Sequence, residues 1–284
     1  MAASLPPLPE IERLSSRVIR ILGGNPGKFT LQGTNTYLIG QGPKRILLDT
    51  GEGKPAWIQS IKSLLASENI QIDRAILTHW HADHVGGITD LRALSPHTLF
   101  YKNQPDPGQT NYTDGQTFKT DGATLRAFHC PGHTADHMAF ILEEEDAMFT
   151  GDNVLGHGTA VFEDLAAYMD SLERMAGQFH GRAYPGHGPV IDDGRAKVLE
   201  YIAHRKQREN QIVEVLGREK EGAVVPSRWG SMEMVKVIYR DYPENLHEPA
   251  EKGVVQVLEK LARDGRVARD EASGAWSLLP KSTL

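Results

Sequence analysis

Residues 78–87 read THWHADHVGG and place His79, His81, Asp83 and His84 within six positions. Imidazole nitrogens and carboxylate oxygens are side-chain donors for divalent cations. Three further candidate donors each follow a glycine: His133 in CPGHT, Asp152 in TGD and His187 in YPGHG. Residues two apart on an extended strand end point the same way, so His79 and His81 are expected to grip one ion. Asp83 and His84 lie on the following turn and face a neighbouring position. One ion needs three or four ligands. His133 can complete the first site and His187 the second, with Asp152 bridging. Two ions ~3.5–4 Å apart would activate a water between them and polarise a substrate oxygen. The donor set suits zinc, manganese or iron; zinc is the first expectation and manganese the second. Asp49, in LLDTG, reads as an orienting partner to a ligand. Asp83 is the candidate catalytic group, ligating while it orients the attacking water.

Rigid scaffolds mount such groups on loops at strand ends, and the chain supplies the strands. RVIRIL (17–22), TNTYLIG (34–40) and KRILLDTG (44–51) read as strands, the first two joined by the glycine-rich GGNPGKFTLQG. PAWIQSIKSLLASEN (55–69) has helical spacing. RAILTHW (74–80) is a buried strand that carries the histidine cluster at its end. ATLRAFHCPGHT (123–134) is a strand running into a Pro-Gly turn, and MAFILEEEDAMFTGD (138–152) is a hairpin ending at Asp152. EDLAAYMDSLERMAGQF (163–179) is a helix, and RAYPGHGPV (182–190) is a strand that breaks at Pro185 and Gly186.

Composition bounds the rest. A chain of 284 residues, 39% of them hydrophobic, can bury a large core. No apolar run approaches the ~20 residues of a membrane span. The N-terminal MAASLPPLPEIERL has no apolar leader core. A single cysteine, Cys130, excludes an intrachain disulfide and suits a reducing compartment, so a cytoplasmic location is expected. Cys130 reads as a small buried thiol and His137 as a structural or orienting residue.

The motifs, taken together, resemble the metallo-β-lactamase superfamily. THWHADHVGG matches its H-x-H-x-D-H motif, and LLDTG, PGHT, TGD and YPGHG follow in the family's order over about residues 15–200. The resemblance implies an α/β fold, an αββα sandwich of two mixed sheets flanked by helices, with a dinuclear site at one sheet edge. It assigns His79, His81 and His133 to one ion, Asp83, His84 and His187 to the other, and Asp152 to both.

Longer stretches narrow the resemblance. NPGKFTLQGTNTYLIG, GDNVLGHGTAVFEDLAAYMDSL and YPGHGPVI are similar to two related groups. One comprises the thioesterases that release aromatic polyketides from the acyl carrier protein of fungal non-reducing polyketide synthases. The other is the β-lactamase-like protein 2 group, which includes a single-strand endoribonuclease. The first is closer, particularly over NPGKFTLQGTNTY and GDNVLGHGT. It implies hydrolysis of an acyl-carrier-protein thioester in secondary metabolism, and RNA is a partner only under the second. A bulky acyl chain needs an apolar cleft beside the ions. Phe29, Leu31, Val154, Leu155, Val161 and Phe162 are its candidate walls, with His157 a further substrate contact.

The tail reads as a separate piece, with a catalytic domain over 1–221 and a second domain over 222–284. A long helix at about 192–220 precedes the linker EGAVVPSRWG. A helix capped near Ser231 follows, then one ending at Gly265, then a two-stranded wing. This resembles the small winged-helix-like appendage of both groups. Winged helices often bind DNA, yet residues 201–284 hold 14 basic and 13 acidic side chains, net +1, too balanced for a nucleic-acid footprint. The basic run Arg205, Lys206 and Arg208 is a solvated helix face or a local docking patch for an acidic carrier protein.

Overall fold

The computed structural model describes residues 5–219 and 227–280. Two compact units divide the chain, Met1–Tyr201 and Ile202–Leu284. Most of the expected linker, 221–230, lies outside the described residues.

Continuous apolar runs make strands that are buried on both faces. In the first unit, β1 (Ile11–Arg13), β2 (Val18–Leu22), β3 (Asn35–Ile39), β4 (Lys44–Leu48), β5 (Gln71–Leu77), β6 (Leu99–Lys102) and β7 (Thr110–Asn111) form one seven-stranded sheet in chain order. Pairing is antiparallel from β1 to β4 and parallel from β4 to β7. Parallel neighbours need crossovers. Helix α1 (Pro55–Glu68) joins β4 to β5, and α2 (Ala82–Val85) with α3 (Ile88–Leu94) joins β5 to β6. Proline at the first position of α1 removes an N–H that would have no partner there. The helix stops at Asn69, which is left-handed at φ 52° and donates its N–H to the Leu65 carbonyl.

A five-stranded sheet follows: β8 (Thr117–Thr120), β9 (Ala123–His129), β10 (Met138–Leu142), β11 (Ala147–Gly151) and β12 (Ala183–Pro185). Its pairs are antiparallel except β11 with β12, which are parallel and joined through α4 (Leu165–Met175). Helix α5 (Gly194–Leu216) comes next. Side-chain alternation explains why Ile46, Leu47 and Leu48 of β4 are apolar in succession. Ile46 and Leu48 join Tyr37, Phe140, Phe149 and Tyr184 in the core shared by the two sheets. Leu47 points the other way, onto Trp57 and Ile61 of α1. Trp57 is fully buried, and its indole N–H is satisfied by Thr36 Oγ1 at 2.9 Å. The result is the expected αββα sandwich of two mixed sheets.

The second unit contains α6 (Ser231–Ile238), α7 (His247–Arg263) and the hairpin of β13 (Val267–Arg269) with β14 (Trp276–Leu278). This is a helix pair followed by a two-stranded wing. Met234, Val235, Val254, Val257, Leu258 and Leu261 are buried on these two helices. The first helix is capped at Gly230, next to Ser231 as expected, and the Glu233 carboxylate accepts the Gly230 N–H at 2.7 Å. Arg208, from the basic run, stacks its guanidinium 4.7 Å from the Tyr239 ring centre. Among the described residues, no helix is long and apolar enough to cross a membrane.

Candidate metal centre

Five strands deliver the site. Asp49 follows β4 directly, His79 lies two residues past β5, His133 four past β9, Asp152 one past β11 and His187 two past β12. The strand ahead of the histidine cluster runs over Gln71–Leu77, not 74–80. His79 and His81 therefore do not sit on an extended strand end. They converge because the chain bends after Leu77 and enters the one-turn helix α2, with His81 as its N-cap. His79 Nε2 lies 3.1 Å from His81 Nδ1.

The other donors close around this pair. His133 Nε2 is 3.0 Å from His81 Nδ1 and 3.6 Å from Asp152 Oδ2. One donor atom from each of His79, His81, His133 and Asp152 lies within 4.8 Å of the rest, and Asp83, His84 and His187 form a second group by the same measure. Asp83 Oδ2 is 3.3 Å from both His84 Nε2 and His187 Nε2. Asp152 reaches both groups. Its Oδ1 is 3.4 Å from His84 Nε2, and its Oδ2 is 3.2 Å from His187 Nε2.

The cluster fits a divalent cation. His84 Nε2 and Asp152 Oδ1 are buried without a hydrogen-bond partner. Burying such atoms unpaired is unfavourable, and a cation is a partner that both lone pairs can share. Two motif glycines let the backbone close on these donors. A Cβ at Gly186 would lie 2.2 Å from Asp152 Oδ1. At Gly151, with φ at 51°, it would lie 2.5 Å from His137 Nε2.

Other contacts fix the rings from behind. Asp49 Oδ2 accepts from His84 Nδ1 at 2.8 Å, and Asp49 also takes the Thr78 N–H at 2.8 Å and the Thr78 hydroxyl at 2.9 Å. His133 Nδ1 donates to the Val161 carbonyl at 2.8 Å. These bonds turn the opposite ring nitrogen of each histidine toward the cluster. His137 Nε2 accepts the Asp152 N–H at 3.0 Å, so its Nδ1 carries the proton that faces Cys130 Sγ at 3.2 Å. His137 thus lies behind the donors, holding the backbone of Asp152. Burial pushes the Cys130 thiol up to about 12, leaving it a poor nucleophile.

The two groups differ electrically. Burial, reinforced by neighbouring imidazoles, pulls the pKa of His79 and His81 down and keeps their lone pairs free. Burial is the largest single influence on His84 and His187 and acts the same way, but the Asp152 charge and the contacts with Asp49 at His84 and with Asp152 and Asp83 at His187 together outweigh it. His84 is held well above the ordinary histidine value and His187 at about 9. Burial alone would raise the carboxyls of Asp83 and Asp152. Their contacts with His187 and His84 reverse this and hold both well below the usual range.

A cleft of about 410 Å³ opens over the cluster, exposing His81, Asp83, His133, Asp152 and His187. Phe29, Leu31, Leu155 and Val161 form its apolar wall, and His157 also lines it. Val154 and Phe162 do not line it. Val154 is fully buried, and Phe162 stacks on Tyr168 at 5.1 Å. Sequence reasoning missed Lys28, which lines the cleft from the glycine-rich link, and Tyr201, whose hydroxyl donates to Gly158 O at 2.8 Å. Lys28 sits in the NPGKFTLQG stretch but reads there as an ordinary loop lysine, and Tyr201 has no motif around it.

Fold and site together fit a hydrolase scaffold whose donor cluster suits a divalent cation, and sequence comparison supports the hydrolase class. A family profile described as "Metallo-beta-lactamase superfamily" matches residues 29–104 and 100–187. A second, "Beta-lactamase associated winged helix domain", matches 230–276. The chain belongs to the metallo-β-lactamase superfamily. Among its relatives are "Lactamase-like protein nscB" of Arthroderma gypseum, 50% identical over 273 residues (93% of this chain, 87% of that protein), and "Atrochrysone carboxyl ACP thioesterase" of Aspergillus chevalieri, 48% identical over 273 residues (95% and 89%). A solved beta-lactamase domain protein from Burkholderia ambifaria shares the fold at TM-score 0.79 and 17% identity, covering 98% of this chain and 96% of that one.

Proposed function

We propose that the protein hydrolyses the thioester joining an aromatic polyketide to an acyl carrier protein, releasing the free acid. The observation that carries this reading is 48% identity, over 95% of the chain, to a relative named as an acyl-carrier-protein thioesterase. The apolar wall beside the donor cluster suits a bulky acyl chain. His79, His81 and His133 would hold one divalent cation, and Asp83, His84 and His187 a second, with Asp152 shared. Zinc is the preferred ion and manganese the alternative. Such a pair lowers the pKa of water and polarises an acyl oxygen when bound.

The chain's own groups do the rest. Phe29, Leu31, Leu155 and Val161 exclude water and orient the acyl group. Asp83, ionised and open to the cleft, orients the attacking water as the water oxygen bonds to the acyl carbon, and the proton leaves to solvent through the cleft. Collapse then breaks the carbon–sulfur bond. The thiolate has a modest pKa, so it leaves without a strong general acid. No neutral acid is required of the cleft.

A side-by-side assay tests the reading. The zinc- or manganese-loaded protein is given a carrier-bound aromatic acyl thioester and single-stranded RNA. Acid release without RNA cleavage is expected. RNA cleavage with the thioester untouched replaces this reading with the endoribonuclease one.

A further inference from the structure

The link between β2 and β3 turns the chain, and its two ends also reach the donor cluster. Asn25 and Thr34 are buried there, 6% and 0% exposed. Asn25 Oδ1 accepts the Thr34 N–H at 2.9 Å, and Asn25 Nδ2 faces Thr34 Oγ1 at 3.0 Å. A backbone N–H can only donate, so the amide oxygen must face it and the NH2 must face the hydroxyl. That leaves the hydroxyl proton of Thr34 for another acceptor, and Asp83 Oδ2 lies 3.0 Å away. Thr34 is held from other sides as well. Its carbonyl accepts the Gly23 N–H at 2.7 Å, and its backbone pairs with His187.

The oxygen that Thr34 touches is the one that approaches His84 and His187, each at 3.3 Å. Among the described residues, Asp83 Oδ1 has no hydrogen-bond partner, and Asp83 opens on the cleft. A carboxylate's terminal torsion is broad and two-fold, so its oxygens exchange freely unless something distinguishes them. A single fixed donor on one oxygen distinguishes them.

We propose that Asn25 and Thr34 are a positioning pair: they commit Asp83 Oδ2 to the second donor group and leave Oδ1 to the cleft. The inference rests on Asp83 serving as a ligand in the proposed function. It gives the stretch NPGKFTLQGT a role at both levels. Its tip, with Phe29 and Leu31, forms cleft wall, and its buried ends fix the group that orients the attacking water.

Three variants of the full chain test it. Thr34→Val keeps the shape and removes the donor. Thr34→Ser keeps the hydroxyl. Asn25→Asp keeps the shape but replaces the NH2 with an oxygen that competes for the Thr34 hydroxyl proton. Each is checked for folding by thermal melting and titrated with zinc against a chromophoric chelator, a readout that uses no acyl substrate. Thr34→Val and Asn25→Asp should weaken one zinc equivalent by about 10–100-fold and leave the other unchanged, with Thr34→Ser close to wild type. Turnover should show the loss in kcat, with KM within about twofold. Wild-type zinc affinities and kcat in a folded Thr34→Val protein would overturn the positioning pair alone. If Thr34→Val does not fold, Asn25→Asp decides by the same criterion. A wild-type chain that binds fewer than two zinc equivalents overturns the ligand reading, and this inference with it.

Discussion

The two donor groups are built on different physics. In the group of His79, His81 and His133, burial suppresses charge on His79 and His81, and the outer contacts are a threonine hydroxyl and a backbone carbonyl. The group of Asp83, His84 and His187 is held by charge, with Asp49 behind His84 and Asp152 raising both imidazoles. Neutral lone pairs are placed mainly by loop geometry. The Asp83 carboxylate also needs a counter-charge, supplied by protons on His84 and His187 or by a cation that would displace them, because an unpaired buried charge is strongly unfavourable. The second group should therefore be the more sensitive to changes in its carboxylates.

The largest effect should come from the one side chain that both groups share. Asp152→Asn is expected to lower kcat/KM by at least about 1000-fold and to reduce bound metal, read by turnover and elemental analysis. A variant that keeps two equivalents and a tenth of the activity contradicts a bridging role. Asp49→Asn acts directly on His84 of the charged group and reaches the other group only through Thr78, which lies between Asp49 and His79. It should weaken metal binding or activity by about 10–100-fold, measured by chelator competition. Equal weakening of both equivalents would break the comparison. Phe29→Ala removes cleft wall and no donor, so KM should rise by about tenfold, roughly 1.4 kcal/mol, with metal affinity unchanged. Leu258→Ala acts in the second unit. It should lower that unit's stability by about 2–5 kcal/mol in a melting experiment while leaving metal content at the wild-type value.

The donor set was readable because its chemistry and its spacing coincide. Few reasons other than a metal put His79, His81, Asp83 and His84 within six residues, and the glycines before His133, Asp152 and His187 mark sharp turns at strand ends. The longer elements, α1, α4, β10 with β11, and the helices of the second unit, showed because their apolar spacing runs long enough to set a period. Strands β1 and β6 to β8 left little signal, being two to four residues long and held by neighbouring strands. The route by which His79 and His81 meet was misread for a related reason. Where β5 stops is set by the bend after Leu77, and the apolar pattern continues into Trp80. Val154 and Phe162 show the limit for the cleft. Their sequence neighbourhood equals that of Leu155 and Val161, and only packing decides which side chains face the opening. Asn25 and Thr34 carry no chemical signature at all, because a buried amide and hydroxyl read as ordinary turn residues until Asp83 is seen beside them.

The central claim is that this cluster, loaded with two divalent ions, cuts a carrier-bound thioester. It is tested most directly by measuring acid release from an aromatic acyl thioester of an acyl carrier protein as metal is added stepwise to the stripped protein. Release should begin from a negligible baseline, rise with added zinc or manganese and level off at about two equivalents per chain. Release that is already maximal in the stripped protein, or no release at any metal loading, would contradict the account.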